Sequence, residues 1–589
     1  MTMAETFTIM MAAIACQVLL SPIPEPSTIK VISVYLSSNC VLFLYLTFAS
    51  TGILQIIIRL FTSNATFLLT AIIITAFRRL YFSPLSHIPG PARFALTKLF
   101  IANEYRLGRV SYTIKALHQE YKSDVVRIGP NEVSIINADA VAKVFSGKYP
   151  RGTFYEIGAI NGEVNVNTTR DYGKHTPVSD FDTYWRRIWE KGFVSSAIKE
   201  YNTRVEIHVD KMIQILVKAD GKEVNVSKAM EDLTFDIMAD LSFSKHSGLQ
   251  DGTGDNSYMS YVHKYLSFSV IIASLRNLAQ LLTYMPETFD VRTFREKGEK
   301  MLMERQEHGS TYRDIFSYLL STDSDGGEKF TQKELNSNAN LIIIAGSDTT
   351  SSTLTQAFRA LAKEPRIFSK LQREIDELCS VMSKDKEITI DSIRNLEYLN
   401  AVVDEILRLY NPIPSGPHAT TYPQGIEVEG VHIPGNVQVE MSHLVLMTDE
   451  RYFPQGKSFI PERWTNERPE LVRDRRAYIP FGYGAHSVSR DVYATVNPQL
   501  EHFINSPPSL YIFSDEHETK LTNIKCVGKT LALHELRLVI ARIVRTFDIQ
   551  FGHSHDDVLF ESEWKDYMAV KIGNLWARFL PRRLENIAA

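Results

Sequence analysis

The 589-residue chain is predicted to be mainly α-helical with a small β region, preceded by transmembrane helices. Three observations predict this. Stretches 6–22, 32–58 and 66–77 are apolar and nearly free of charge, most of the chain beyond them is helical in pattern, and only two segments read as strand pairs.

Spanning a bilayer takes roughly 20 apolar residues. The middle stretch clears that length, the third does so only with its flanks, and the first lacks the basic start of a cleaved signal peptide. Residues 1–80 are therefore read as an anchor of one to three helices, a buried helical hairpin being the alternative. Arg78, Arg79, Arg93 and Lys98 come after the last stretch, which by the positive-inside rule puts the remaining chain in the cytosol. Residues 81–93 carry Pro84-Leu-Ser-His-Ile-Pro-Gly-Pro91, where fixed proline φ angles make a stiff, bent connector. Residues 94–589 form the body, long enough to bury a large cofactor.

Charged residues make up 22% and the net charge is −4, so no basic field points to nucleic acid. Cys16, Cys40, Cys379 and Cys526 are too few and too scattered for a disulfide framework or a Cys-x-x-Cys zinc site. That leaves Cys526 as a candidate ligand.

Within the body, Val125-Val-Arg-Ile-Gly-Pro-Asn-Glu-Val-Ser-Ile-Ile136 has two β-branched runs around a Gly-Pro-Asn turn and predicts a hairpin; a second strand pair is predicted across 426–439. One long helix should begin at the capping-box pattern Thr331-Gln-Lys-Glu334 and end before Pro365. Its middle reads Ala345-Gly-Ser-Asp-Thr-Thr350. Gly costs about 1 kcal/mol relative to Ala in a helix, and Ser, Asp and Thr compete for its backbone hydrogen bonds. That cost suggests a function, with a polar kink in a buried helix as the plain alternative. Further on, Glu405-Ile-Leu-Arg408 sets opposite charges on one helix face, a spacing common on solvated helices, and Phe459-Ile-Pro-Glu-Arg-Trp464 comes after it.

The last motif comes in two pieces. Phe481-Gly-Tyr-Gly-Ala-His-Ser487 and Cys526-Val-Gly528 join to Phe-x-x-Gly-x-His-x-Cys-x-Gly once 488–525 is removed. Phe481, Gly484 and Gly528 would shape a tight loop around the cysteine. A helix starting after Cys526 points its positive end at the sulfur and favours thiolate over thiol.

In this order the motifs resemble the cytochrome P-450 family, from the hinge to about Ala577, and the overall pattern resembles its fungal membrane-bound members. The resemblance implies a cytochrome P-450 fold, with haem b (iron protoporphyrin IX) whose iron takes Cys526 as its axial ligand. A thiolate there pushes electron density onto iron and favours O–O cleavage. Residues matching Ala345 and Gly346 leave room for dioxygen, and those matching Asp348 and Thr349 support proton delivery. Glu405, Arg408 and Arg463 match a buried charge network that fixes geometry more than it adds stability. His486 stands where the family has Arg, and His486 and Arg186 are candidates for the haem propionates, since a guanidinium fork suits a carboxylate. A solvated Arg186-Arg187 pair is the alternative.

Two segments depart from the family. Arg186, Arg187 and Trp189 arrive late after Asn167-Thr-Thr-Arg-Asp-Tyr-Gly-Lys-His175, so 177–183 or a nearby register is surplus and His175 is displaced. The larger departure, 488–525, contains Asn497-Pro498, Pro507-Pro508 and Asp515-Glu516 and has no sustained period. It separates Ser487 from Cys526, which in the joined motif would be bonded neighbours about 3.8 Å apart at Cα. It is expected to be a translated intron. Removing it completes the motif without gain or loss of a residue; Val488-Ser489 can be encoded by the donor sequence GTAAGT, Leu521-Thr-Asn523 can contain CTAAC, and Lys525 can be AAG.

The expected function is membrane-bound monooxygenation of an apolar small molecule using O2 and electrons from a flavoprotein NADPH-cytochrome reductase. Its place would be the endoplasmic reticulum membrane, with the catalytic domain cytosolic, in fungal secondary-metabolite biosynthesis. The alternatives are a haem-fold protein left inactive by its interrupted loop, and an O2-independent haem-thiolate isomerase or dehydratase.

Overall fold

The computed structural model describes residues 2–20, 27–49, 52–145, 151–155, 165, 180–282, 284–321, 329–382, 387–483 and 526–582. Three helices, α1 (Met3–Leu20), α2 (Thr28–Ala49) and α3 (Ile53–Tyr81), are each long and apolar enough to cross a membrane. Their apolar side chains are largely exposed, while polar groups join one helix to the next. Asn64 of α3 donates to Asn39 of α2 at 2.6 Å and accepts from the Tyr35 hydroxyl; Thr75 of α3 donates to Gln17 of α1 at 3.0 Å.

The proline-rich connector docks on the body. Leu85 and Ile88 are buried, and the Arg127 amide donates to the Pro89 carbonyl at 2.7 Å. The Arg127 side chain collects the carbonyls of Arg79, Gly129 and Pro130. The connector is thus fixed to strand β1 (Val125–Gly129), which pairs antiparallel with β2 (Glu132–Ile135) as the predicted hairpin.

The second predicted pair divides between two sheets. Ile426–Val428 and Val431–Ile433 form a hairpin, turned by Glu429 and Gly430 at positive φ. Gln438–Glu440 instead runs parallel to β2 and antiparallel to His418–Thr420, completing a four-stranded sheet. A purely local pattern finds the strands but not the partner, because pairing is set by the long-range burial of Val133, Val439 and Ala419.

Two further sheets go beyond the two predicted strand pairs: Trp576–Pro581 pairs antiparallel with both Phe547–Phe551 and Glu223–Asn225, and Lys565–Tyr567 pairs with Ala569–Lys571. Most of the remaining body is helical, and a large apolar core runs from Ile188 to Phe579. Through its centre passes the predicted long helix. Thr331 caps it as foreseen: its hydroxyl accepts from the Glu334 amide at 3.3 Å and Glu334 Oε2 accepts from the Thr331 amide at 2.7 Å. The helix continues to Lys363, and Pro365 opens the next one. Between Gln332–Ile343 and Thr349–Lys363, however, Ile344–Asp348 is wound as a π-helix. Such turns are rare and concentrate at functional sites.

Candidate active site

The π-turn falls on Ile344-Ala-Gly-Ser-Asp348, where the sequence is a poor α-helix former. A neighbouring helix, Val226–Phe243, supports it: Thr234 Oγ1 donates to the Ser347 carbonyl at 3.0 Å. Downstream hydroxyls bond back into their own helix, Ser351 to Asp348, Thr353 to Thr349 and Thr355 to Ser351, at 2.8–3.0 Å. This is how these hydroxyls stay buried with partners.

The two small residues of the turn have different surroundings. A Cβ on Gly346 would lie 2.5 Å from Met238 Sδ, so its missing side chain admits the adjacent helix. Ala345 is exposed although its helix is otherwise largely buried, and borders open space. Thr349 Oγ1 donates to the Ala345 carbonyl at 2.7 Å. Asp348 is buried and its Oδ1 lies 2.9 Å from His263 Nε2. Next to the turn opens a cavity of about 350 Å³, walled largely by apolar residues such as Phe154, Leu266, Val270, Phe294, Ile344 and Met568, with Asn165, Ser337, Asn340 and the Glu287–Arg295 ion pair among its polar lining. Its size and apolar walls suit a small organic molecule.

Glu405 and Arg408 lie on Glu397–Leu409 and meet Arg463 from the short 3₁₀ turn Pro461–Trp464. All three side chains are fully buried. Glu405 accepts from Arg408 Nε and Nη2 at 2.8 Å, Arg463 Nε at 3.0 Å, the Ile460 amide at 3.0 Å and Trp464 Nε1 at 2.9 Å. The remaining guanidinium donors reach backbone carbonyls: Met447, Gly456 and Ser458 from Arg408, and Pro454, Gln455 and Leu471 from Arg463. The network therefore pins the loop from 454 to 471. Further on, Tyr478 donates to Asp404 at 2.9 Å and Asn411 to the Pro480 carbonyl at 3.1 Å, so the chain arrives at Phe481 in a fixed position.

At that point the two halves of the cysteine motif meet. The Cys526 amide donates to the Phe481 carbonyl at 2.9 Å, and Lys529 Nζ sits 5.7 Å over the Phe481 ring. Cys526 is exposed and, through Val527 and Gly528, leads into the 18-residue helix Lys529–Thr546. Its Sγ lies 3.9 Å from where a side chain on Gly528 would begin. An exposed thiol at the start of a long helix, beside a loop held by a buried network, is of the kind that would hold haem iron as a thiolate.

Over residues 111–487 the sequence matches the family described as Cytochrome P450. The chain belongs to the cytochrome P450 family. As a cytochrome P450 it is a haem-thiolate monooxygenase, an oxidoreductase that works through haem iron. It is 29% identical over 484 residues to cytochrome P450 monooxygenase FCK2 of Fusarium pseudograminearum, covering 81% of this chain and 78% of that one. It is 28% identical over 503 residues to tryprostatin B 6-hydroxylase of Aspergillus fumigatus, covering 84% and 80%. The crystal structure of the cytochrome P450DA heme domain superposes with a TM-score of 0.64 at 18% identity, over 84% of this chain and 98% of that one, and shares the fold. The P450 match ends at residue 487, directly before 488–525.

Of the residues expected around the haem, Gly484 and His486 lie outside the described residues, as do His175, 177–179 and all of 488–525. Arg186 lies on the helix Asp180–Lys191, where its Nε donates to Glu190 at 2.9 Å one helical turn away. Sequence reasoning missed His263. It stands 85 residues from Asp348 on a different helix, and no local motif links the two.

Proposed function

We propose that this P450 is a membrane-anchored monooxygenase that places one oxygen atom of O2 into an apolar organic substrate. Electrons come from a flavoprotein NADPH-cytochrome reductase, and the reaction belongs to fungal secondary metabolism. The observation that carries this reading is the Cys526–Phe481 hydrogen bond, which reunites the ligand cysteine with its loop. Iron protoporphyrin IX bound through the Cys526 thiolate supplies the O2 chemistry. The protein's own residues position and protonate: Ala345 keeps the space beside the π-turn open, Gly346 lets the adjacent helix brace that turn, and Asp348 and Thr349 hold protons next to it. Phe481, Gly484 and Gly528 shape the cysteine loop, and His486 and Arg186 are the propionate partners. The intact Asp348-Thr349 pair favours O2 use over isomerisation or dehydration. The apolar cavity supports an apolar substrate, as does the naming of one relative as tryprostatin B 6-hydroxylase. Metabolite profiling of a deletion strain is the experiment that identifies it.

Thr349→Ala is expected to retain haem but to uncouple O2 use from product, since a positioned proton donor is worth about 10²-fold or more. Measured with the substrate from that profiling, product per NADPH should fall while hydrogen peroxide rises. Unchanged coupling removes Thr349 from the mechanism.

Residues 1–80 are the anchor, in the endoplasmic reticulum membrane. A three-span path puts the link between α1 and α2 on the same side as the body. The Thr28 amide, which donates to Gln280 of the body at 2.9 Å, supports that path. Together with the basic residues after 77 it supports a cytosolic body. Microsomes washed in high salt should keep the protein. Protease added outside should digest the body and spare an N-terminal epitope; a protected body reverses the topology.

The segment 488–525 is a translated intron, absent from the working enzyme. The family match stopping at residue 487 and the closeness of Phe481 to Cys526 both support this.

A further inference from the structure

Asp348 needs a source of protons, because it closes the π-turn in the protein interior. The described polar group against its carboxylate from another helix is His263 of Tyr258–Ser274, with Nε2 2.9 Å from Oδ1. The two side chains differ in exposure, 28% for His263 and 5% for Asp348, so the imidazole reaches from the buried carboxylate towards solvent. Burial alone would push the His263 pKa down, but the hydrogen bond and charge of Asp348, joined by Glu231, raise it overall against the opposing charge of Lys571. From the other packed elements, Asp290 is held by Lys264 at 3.0 Å and Glu104 by Arg109. Histidine is the side chain suited to gain and lose a proton near neutral pH.

We propose that His263 is the solvent-side proton carrier for Asp348. The protonated imidazole gives its Nε2 proton to the Asp348 carboxylate, leaving a neutral histidine and a carboxylic acid. Water then reprotonates the ring. No electron moves and no other bond is made or broken. His263 acts through Asp348 and is a positioning and proton-loading residue. The proposal rests on the reading that Asp348 serves proton delivery.

The test uses the enzyme in its haem-binding form, with reductase, NADPH and O2 and no organic substrate, and reads how reduced O2 divides between hydrogen peroxide and water. Water formation takes more protons, so loss of the carrier diverts O2 to peroxide. His263→Gln retains a hydrogen-bonding group beside Asp348 but cannot carry the proton. Its peroxide share should rise several-fold, as in His263→Ala, while the carbon monoxide band and thermal midpoint stay those of the parent. In the parent, the peroxide share should climb with pH as His263 loses its proton; in His263→Gln it should be flat. ¹³C-histidine NMR provides a readout independent of turnover, with the His263 pKa expected to fall in Asp348→Asn. A parental division of O2 in His263→Gln, or an unmoved His263 pKa in Asp348→Asn, overturns the carrier role. A parental division in Asp348→Asn instead removes the reading of Asp348 on which the carrier depends.

Discussion

Protein lacking residues 488–525 is expected to bind haem and, reduced under carbon monoxide, to show the red-shifted band of thiolate-ligated iron. Cys526→Ala in that background should lose the band entirely. The expectation comes from placement. Cys16 and Cys40 lie in the apolar helices α1 and α2, and Cys379 is half-buried on Pro365–Val381. Cys526 alone of the four sits at the start of a long helix and bonds to the Phe481 loop. Joining Ser487 directly to Cys526 gives the loop its short length, with glycines where it turns. A band that survives Cys526→Ala overturns the ligand assignment. Sequencing cDNA across this region is the companion measurement, and an active enzyme whose transcripts uniformly retain the segment defeats the intron reading.

Glu405→Ala is expected to be the most damaging single substitution outside the ligand. It removes the carboxylate between two fully buried guanidinium groups, Arg408 and Arg463. Breaking a buried ion pair from one side costs about 3–5 kcal/mol, a large part of the roughly 5–15 kcal/mol that a folded domain has. The Ile460 amide and Trp464 indole lose their acceptor as well. The expected result is a lower denaturation midpoint and little haem retained. Glu405→Gln keeps one acceptor oxygen without the charge and should fall between the two. A Glu405→Ala protein with parental midpoint and haem content would show that the loop before Phe481 is held by other contacts, such as Asn411 to Pro480.

What the sequence alone could determine was local. The Thr331–Glu334 cap, the hairpin around Gly129-Pro130-Asn131, three apolar spans and a helix after Cys526 are each set within a few residues, by capping chemistry, turn residues or hydrophobic length. The unfavourable composition of Ala345-Gly-Ser-Asp-Thr-Thr350 likewise marked where the central helix would depart from α geometry, although not that it would do so as a π-turn. The tertiary structure decided what meets across distance. It gave Gln438–Glu440 to the sheet of β1 and β2, set Met238 against Gly346 and placed His263 on Asp348. It also brought the Phe481 carbonyl to the Cys526 amide. The physical reason is the same in each case. Capping and turn preferences act between neighbours in the chain, whereas a buried donor donates to whichever acceptor the packing of whole helices brings within about 3 Å, and many such acceptors are backbone carbonyls that carry no sequence signature.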